Sequence, residues 1–363
     1  MIDLRLYRPD ELKRAIKAGR IAPVYFLFGN ESYLINHYTN MIIKNAVSGP
    51  EELNVKYYDI SFDVNDIYSN AYQVPMLSPK KCIIITDCDI NKLTNEEFDV
   101  FQEMVENPSD VAVIIFRYTG LEISLKKKYN KNKDKEEKEP KQDIFLKSID
   151  ENGGMIVEIN HLTRGDIVKT IISGVRKRNC SIEQRVAEYL IEICSDDLTT
   201  LLTEVEKLCA YVGEGVITNE SIDKICVKSI TAKIYDMSKA VLSNNVKLSL
   251  DILNNLLFMN IKEETILNEM ASNYIDIYRM SAANRAGVKI PDVANDFNYG
   301  NRDFVLKNAS SYAKKLNDKQ LCLCLNELSE TFYKLRGGSR MKNNETMEML
   351  IIKLITIFTK GEL

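Results

Sequence analysis

The sequence predicts an α/β domain with a mostly parallel sheet, followed by an all-helical region. Short apolar runs in the first 160 residues predict strands, and three of these runs are almost continuously apolar, as parallel strands covered on both faces are. The five runs are VYFLF (24 to 28), VKYYDI (55 to 60), CIIIT (82 to 86), VAVIIF (111 to 116) and MIVEI (155 to 159).

Helices are predicted between these strands, over residues 31 to 46, 63 to 72 and 94 to 106. The last of them opens with Thr94 and Glu97, whose spacing is that of a capping box. Because strands and helices alternate, we expect βαβ crossovers and an open, mostly parallel sheet over residues 1 to 160.

After residue 160 the strand pattern stops and helical periodicity replaces it. A small helical bundle is predicted over residues 161 to 230. Its four helices are predicted from Leu162 to Arg178, from a cap at Ser181 and Gln184 to Cys194, through the leucines of residues 195 to 211, and over residues 218 to 227.

A larger helical domain is predicted over residues 231 to 363, where apolar residues recur at spacings of three and four. The wide stripe of the final helix indicates burial, either in this bundle or in a subunit contact. The three stripes are Leu267, Met270, Tyr274 and Ile277; then Leu321, Leu325, Leu328, Phe332 and Leu335 after a cap at Asn317 and Gln320; and finally Met347, Leu350, Ile351, Leu354, Ile355 and Phe358.

The composition excludes several classes of protein. Hydrophobic residues make up 45% and charged residues 28% of the 363 residues, which excludes a largely disordered chain. No window approaches the roughly 18 uninterrupted apolar residues of a membrane helix, and MIDLRLYRPDELKR is too charged for a secretory signal. We therefore expect a cytoplasmic protein with no membrane partner. A net charge of −4 excludes nucleic-acid binding through bulk positive charge but leaves local basic clusters open.

The eight cysteines are predicted to be reduced core thiols, because each lies among apolar residues. They stand at positions 82, 88, 180, 194, 209, 226, 322 and 324. The sequence has no C-x-x-C pair, and only His37 and His161 could assist them, so no zinc site is expected. Neither histidine lies in a recognisable nucleophile motif.

The stretch from Val24 to Tyr38 combines a strand, a turn at Gly29 and a helix, which is where nucleotide-binding α/β domains carry a phosphate loop. Here the turn has no second glycine and no lysine, and Glu31 supplies a carboxylate where a phosphate would lie. Asp87 and Asp89 follow the strand CIIIT, as magnesium-binding acids do in nucleotide hydrolases, but such aspartates commonly cap turns and helices. We predict no catalytic residue, no cofactor and no metal.

The segment AYQVPMLSPKK, residues 71 to 81, is unusually apolar for a connection between a helix and a strand. Its two prolines stop the helix and hold the backbone extended. Val74, Met76 and Leu77 could therefore insert into a partner's pocket at small entropic cost, or fold over the chain's own core. Composition favours neither alternative.

Two charged segments each allow two interpretations. Residues 126 to 143, KKKYNKNKDKEEKEPKQD, predict a solvated, mobile loop, with a phosphate-contacting arm as the alternative. Lys334, Arg336, Arg340 and Lys342 surround a Gly-Gly pair between two apolar helices. This basic connection is either a contact for DNA or a neighbouring subunit, or a solvated turn.

Four segments resemble the delta-subunit family of bacterial DNA polymerase III, the clamp-loader subunits that open the sliding clamp. They are PVYFLFGNESYLI (23 to 35), VPMLSPKKCIIIT (74 to 86), SDDLTTLLTEVEKLCAY (195 to 211) and LSETFYKLRGG (328 to 338). None of the four is a catalytic signature. The resemblance rests on their order and spacing, and it covers nearly the whole length of the chain.

The resemblance implies an AAA+-like sheet domain that neither binds nor hydrolyses ATP, a small helical lid domain over 161 to 230, and a helical collar over 231 to 363. It implies that Val74, Met76 and Leu77 bind a pocket on the sliding clamp (beta subunit), with Leu77 where many relatives carry phenylalanine. The collar would join the gamma/tau ATPase subunits and delta-prime, and primed DNA would be met through the assembled complex.

Two other functions are considered. A nucleotide-binding ATPase with a degenerate phosphate loop at Gly29 would bind ATP by itself. A delta-prime subunit would be expected to carry an S-R-C arginine-finger sequence and a zinc-binding cysteine cluster, and the sequence contains neither.

Overall fold

The chain divides into two units, Met1–Leu162 and Thr163–Leu363, in the computed structural model. The structure describes residues 4–59, 62–120, 140–299, 303–338 and 340–361. The further division predicted at residue 230 stays a prediction.

The first unit is an α/β domain. In its described residues the strands are β1 (Leu6–Tyr7), β2 (Val24–Gly29), β3 (Val55–Tyr58), β4 (Lys81–Thr86), β5 (Ala112–Thr119) and β6 (Met155–Glu158). The α-helices are α1 (Pro9–Lys17), α2 (Ser32–Ala46), α3 (Glu51–Asn54), α4 (Val64–Tyr72), α5 (Asn95–Glu106) and α6 (Lys141–Glu151). The three helices predicted here are confirmed to within a residue at each end, and the predicted capping box of α5 is present.

The six strands form one sheet in the order β1-β6-β2-β5-β4-β3, and every described pair is parallel. The predicted parallel sheet is therefore confirmed. Strand β1 was not predicted, because two residues are too short to show a strand period. In the pairing of β3 with β4, Val55 lies opposite Cys82, so the amino ends of these two strands are aligned.

Both faces of the sheet are buried, which explains why its strands are almost continuously apolar. On one face Phe26 and Phe116 pack with Phe101 of α5 and Phe145 of α6. The Phe116 and Phe145 rings meet edge to face, with their centroids 5.1 Å apart. On the other face, side chains of α1 and α2 cover the residues that alternate with these, among them Leu27. The sheet is thus a rigid layer that fixes where each connecting loop begins.

The second unit is mainly helical. In its described residues the helices are α7 (Arg164–Arg176), α8 (Gln184–Cys194), α9 (Leu198–Val212), α10 (Asn219–Ile225), α11 (Ile230–Leu242), α12 (Val246–Phe258), α13 (Glu263–Ala286), α14 (Ile290–Asp296), α15 (Asp303–Ala313), α16 (Asp318–Tyr333) and α17 (Asn343–Lys360). Two short strands, β7 (Ser181–Ile182) and β8 (Val216–Ile217), pair in parallel. The helix cap predicted at Ser181 is wrong: this residue lies in β7, where its N–H donates to the Gly215 carbonyl at 3.1 Å, and Glu183 precedes α8.

The apolar stripes predicted in this unit face its core. Leu267, Met270 and Tyr274 of α13 are buried with the stripe of α17, from Met347 to Leu354. Phe332, Leu335 and Phe358 pack at the edge of the same core. The stripe of the final helix is therefore used for packing within the chain, which was one of its two predicted uses.

All eight cysteines are free thiols, and seven are buried. Cys322 is exposed, so its predicted place in the core is wrong. In α16 the core-facing residues are Leu321, Cys324 and Leu328, at helical spacing, and Cys322 lies on the opposite side.

Most of the charged segment 126 to 143 lies outside the described residues. Its last three residues, Lys141 to Asp143, do not continue a loop but form the first turn of α6 after Pro140. A proline just before the first turn is compatible with helix initiation, because no N–H is needed there.

None of the described helices is both long and apolar enough to cross a membrane.

Truncating a leucine in the sheet should cost far more stability than truncating an exposed one. We expect Leu27→Ala, at a fully buried position, to lower the free energy of unfolding by roughly 2–5 kcal/mol through lost burial and cavity formation. The matched control is Leu77→Ala, at a position that is 84% exposed, which should change it by less than about 0.5 kcal/mol. Urea unfolding followed by circular dichroism measures both, and equal effects would contradict the assignment of the core.

Candidate functional site

The connection between α4 and β4, residues 73 to 80, presents three apolar side chains to solvent. Val74 is 76% exposed, Met76 58% and Leu77 84%. These side chains do not fold over the core of their own domain, which was one of the two alternatives left by the sequence. We call residues 74 to 77 the apolar loop. Consecutive large apolar side chains at such exposure are a common mark of an interaction surface.

The backbone of the apolar loop is fixed by one buried side chain, Asn54, at the end of α3. Its Nδ2 donates to the Met76 carbonyl at 2.7 Å, and its Oδ1 accepts from the Met76 N–H at 2.7 Å. Nδ2 also donates to the Pro50 carbonyl at 2.9 Å. Asn54 is fully buried, so leaving these groups unpaired would cost roughly 1–3 kcal/mol each. The Asn54 side chain thus bonds both the N–H and the carbonyl of Met76, as a residue of a neighbouring strand would.

The turn at residues 48 to 50 packs against the apolar loop and supports it. A Cβ atom at Gly49 would lie only 2.5 Å from the Leu77 carbonyl oxygen, so the close approach requires glycine. The Ser48 N–H donates to Ser78 Oγ at 3.2 Å, and that hydroxyl donates to the Lys80 carbonyl at 2.7 Å. Leu77 has a φ of 54°, a left-handed conformation that costs a non-glycine residue roughly 1–3 kcal/mol. The surrounding contacts hold Leu77 in this strained, outward position.

The ends of the connection are also anchored. The Tyr72 hydroxyl donates to the Asn107 carbonyl at 2.8 Å. Lys81 Nζ donates to Gln73 Oε1 at 3.3 Å, and burial, reinforced by the charge of Lys56, lowers the pKa of Lys81. The apolar loop is therefore a preorganised element between two fixed ends.

The turn at Gly29, where a phosphate loop would lie, is occupied by protein backbone. A Cβ at Gly29 would lie 2.1 Å from the Ile159 carbonyl oxygen, and Gly29 has a φ of 138°. The Ile159 N–H donates to the Phe28 carbonyl at 2.7 Å, while the Ile159 carbonyl accepts from the Glu31 N–H at 3.3 Å. The Glu31 N–H, an amide of the kind that a phosphate loop would direct at its ligand, is thus hydrogen-bonded to the chain after β6.

A carboxylate is placed where a phosphate would be attracted. Glu31 directly precedes α2 and is only 6% exposed. Its Oε2 lies 3.0 Å from Nδ1 of His161. A helix N-terminus favours negative charge, and here the negative charge comes from the chain itself.

Asp87 and Asp89, at the end of β4, accept hydrogen bonds from backbone groups. Asp87 Oδ1 accepts from the Thr119 N–H at 3.0 Å. Asp89 accepts from the Asn91 N–H at 3.2 Å at the start of a short 3₁₀ turn, and it forms a 3.0 Å ion pair with Lys92. The interpretation as a cap is confirmed for Asp89, whereas Asp87 binds an amide of strand β5 instead of capping a turn or a helix.

Two of the four basic residues after α16 are paired with acids. Lys334 Nζ lies 3.3 Å from Glu330, and Arg336 Nε lies 3.4 Å from Glu264. The Arg336 guanidinium also lies over the Phe332 ring, 4.3 Å from its centroid. These pairs reduce the positive charge that the sequence alone would assign to this connection.

The other two predicted contact residues, Arg340 and Lys342, are exposed. Lys342 directly precedes α17, and its carbonyl accepts from Thr346 Oγ1 at 3.0 Å. All four basic residues thus lie in one helix connection, but their side chains do not form a single uncompensated cluster. Their assignment to DNA or subunit contacts stays a prediction.

The described residues form a parallel-sheet α/β domain followed by a mainly helical unit. A solved structure of the DNA clamp loader delta protein from Bacillus subtilis is similar over 96% of this chain and 99% of that chain, with a TM-score of 0.58 and 17% sequence identity. This likeness confirms the predicted fold class.

Family models and curated relatives agree. The model for DNA polymerase III, delta subunit, matches residues 25–139, and the model for its C-terminal domain matches residues 231–354. DNA polymerase III subunit delta of Bacillus subtilis (strain 168) is 19% identical over 353 residues, 94% of this chain and 95% of the relative. The probable DNA polymerase III subunit delta of Aquifex aeolicus (strain VF5) is 24% identical over 207 residues, 56% of this chain and 57% of the relative. The chain therefore belongs to the DNA polymerase III delta-subunit family, as a clamp-loader subunit in DNA replication.

Removing the Asn54 amide should release the apolar loop. We expect Asn54→Ala to lower the free energy of unfolding by roughly 1–3 kcal/mol and to speed hydrogen exchange at the Met76 amide, because that N–H loses its buried acceptor. Mass spectrometry of exchanged peptides, or NMR, measures the protection.

The matched control is Asn70→Ala, because the half-buried amide of Asn70 donates to Asp66 in its own helix, at 2.9 Å and 3.2 Å, and not to the apolar loop. It should leave protection at Met76 unchanged. If Asn54→Ala also left that protection unchanged, Asn54 would not be the residue that holds the loop.

Proposed function

We propose that this chain binds the sliding clamp through Val74, Met76 and Leu77 and opens it for loading on primed DNA, without binding ATP itself. The observation that carries the proposal is the combination of exposure and rigidity. The three side chains are exposed, while the backbone of Met76 is held by a buried amide. Such an element loses little conformational entropy when a partner covers it.

The free energies expected for binding favour a loop that acts together with its surroundings. Fully burying three such side chains gives a gross gain of roughly 1.5–3 kcal/mol each, and association itself costs several kcal/mol. Leu53, which directly precedes Asn54 in the chain, is 48% exposed. We assign it to the rim of the same contact surface, where it would help to exclude water from the three anchors.

The proposed action is mechanical, with no catalytic residue of its own. A subunit shifts a partner toward an open state only if it binds that state more tightly than the closed one. ATP bound by the gamma/tau subunits would then control when the apolar loop is presented, by coupling between subunits. The helical domain over residues 231 to 363 would join these subunits and delta-prime, and primed DNA would be met through the assembled, cytoplasmic complex.

Three features support a chain that does not use ATP. The turn at Gly29 is closed by the Ile159 carbonyl, and Glu31 places a buried carboxylate before α2. The sequence at this turn also lacks the lysine that holds a triphosphate. These features argue against the alternative of an ATPase with a degenerate phosphate loop.

Truncating the apolar loop should weaken clamp capture while leaving the fold intact. We expect Met76→Ala/Leu77→Ala to weaken binding of the bacterial sliding clamp by about tenfold or more, because two exposed anchors are lost. Pull-down and surface plasmon resonance with the purified clamp measure the change.

The control is Phe258→Ala, which truncates an apolar side chain that is 87% exposed in the second unit and should leave capture unchanged. Equal capture by the wild type and the double variant would refute the assignment of the loop. Failure of the wild type to capture the clamp would refute the function itself.

The isolated protein should not bind ATP. We expect no saturable binding when MgATP is titrated calorimetrically into the full chain at micromolar concentrations, because acceptor oxygens and a carboxylate occupy the place of the phosphates. An active clamp-loader ATPase subunit serves as the positive control. Saturable binding by this chain would favour the ATPase alternative instead.

A further inference from the structure

Three side chains that commonly bind metals converge from three helices of the second unit. Cys194 is the last residue of α8, Glu204 lies in α9, and Cys226 directly follows α10. Their two sulfurs and one carboxylate oxygen all lie within 4.8 Å of one another. The three residues are only 3%, 8% and 9% exposed. This cluster is separate from the apolar loop and is not used by the proposed function.

The carboxylate of Glu204 is only half satisfied. Its Oε1 accepts from Lys207 Nζ at 2.6 Å. Its Oε2 is buried and has no hydrogen-bond partner of ordinary geometry, although the Cys226 thiol interacts with this carboxylate. A buried carboxylate oxygen without a partner costs roughly 1–3 kcal/mol or more, so such an atom needs an explanation. A cation between Oε2 and the two sulfurs would supply one.

The charges of the cluster balance around a divalent ion. Two thiolates and one carboxylate carry three negative charges, and a divalent ion with the Lys207 ammonium carries three positive charges. Buried charges are tolerated where they are paired or coordinate a metal. Lys207 would act from outside the ligand set, by holding Oε1 and leaving Oε2 directed at the ion, as second-shell partners of metal ligands do.

The ligand types select zinc. Two thiolate sulfurs favour Zn²⁺ over Mg²⁺ and Ca²⁺, which prefer oxygen ligands. Zn–S bonds of about 2.3 Å in a tetrahedral site place two sulfurs about 3.8 Å apart. The separations here, at most 4.8 Å, are within about an ångström of that value, which small side-chain rotations can supply.

We propose that Cys194, Glu204 and Cys226 bind a Zn²⁺ ion that joins the ends of α8 and α10 to α9, with a water molecule as the fourth ligand. The sequence did not indicate this site, because its ligands are spaced by 10 and 22 residues and include no C-x-x-C pair. Closing this 33-residue span would stabilise the second unit, since a metal bound only by the folded state adds its binding free energy to folding.

The test uses the full-length chain and Zn²⁺ alone. After purification with reductant, the protein is loaded with Zn²⁺ and dialysed, and bound zinc is counted by atomic emission. We expect one ion per chain, together with a higher melting temperature that a strong chelator reverses. Loading with Co²⁺ should give thiolate-to-cobalt charge-transfer absorption, which reports sulfur ligands directly.

Variants separate this site from other thiols. Cys194→Ser/Cys226→Ser should lose the ion and the cobalt absorption, and Glu204→Gln should weaken zinc affinity by about tenfold or more. Cys322→Ser, at an exposed cysteine in α16, is the control and should behave as the wild type. The proposal is overturned if the wild type retains no zinc, if the double serine variant retains it, or if mass spectrometry of the reduced preparation shows Cys194 and Cys226 joined by a disulfide.

Discussion

The candidate contact surface depends on one pairing, that of β3 with β4. Because the two strands are parallel and Val55 lies opposite Cys82, the residues that precede them lie side by side at the amino edge of the sheet. Asn54, immediately before β3, can therefore reach the Met76 peptide in the connection before β4. A shift of this pairing by one residue would turn the strand side chains to the other face and remove this contact. The rigidity of the apolar loop follows from the register of the sheet.

The carboxyl edge and the amino edge of the sheet differ in what they present to solvent. Ligands of open α/β sheets usually bind at the carboxyl edge, where β2 ends at Gly29. At the end of β2 this edge is filled by the Ile159 carbonyl and by Glu31, which lies beside His161. The opposite, amino edge carries the exposed apolar loop. The sheet therefore serves as a rigid support, and the surface suited to a macromolecular partner lies away from the usual ligand crevice.

Local signals were read correctly from the sequence, and contacts between distant residues were not. Strands β2 to β6 and the capping box at Thr94 depend on neighbouring residues, so the apolar pattern was sufficient to predict them. The role of Asn54 was missed because it depends on a partner 22 residues away in the chain. Ser181 was misassigned for the same reason, since its strand forms only with β8. The zinc ligands also come from separate helices. In each case the missing information is tertiary, and composition or spacing along the chain cannot supply it.

The rigidity of the apolar loop bears directly on how a clamp opener could work. A partner that fits the open and closed clamp equally well shifts nothing, however tightly it binds. A flexible loop would adapt to both states and lose that discrimination. The hydrogen bonds of Asn54 to Met76 and the close approach of Gly49 oppose such adaptation, and they outweigh the cost of the left-handed backbone at Leu77. A fixed loop presents its three anchors in one geometry and so can favour one state of a partner over the other. This is the property that the proposed mechanical role requires, and it arises from contacts within the chain itself.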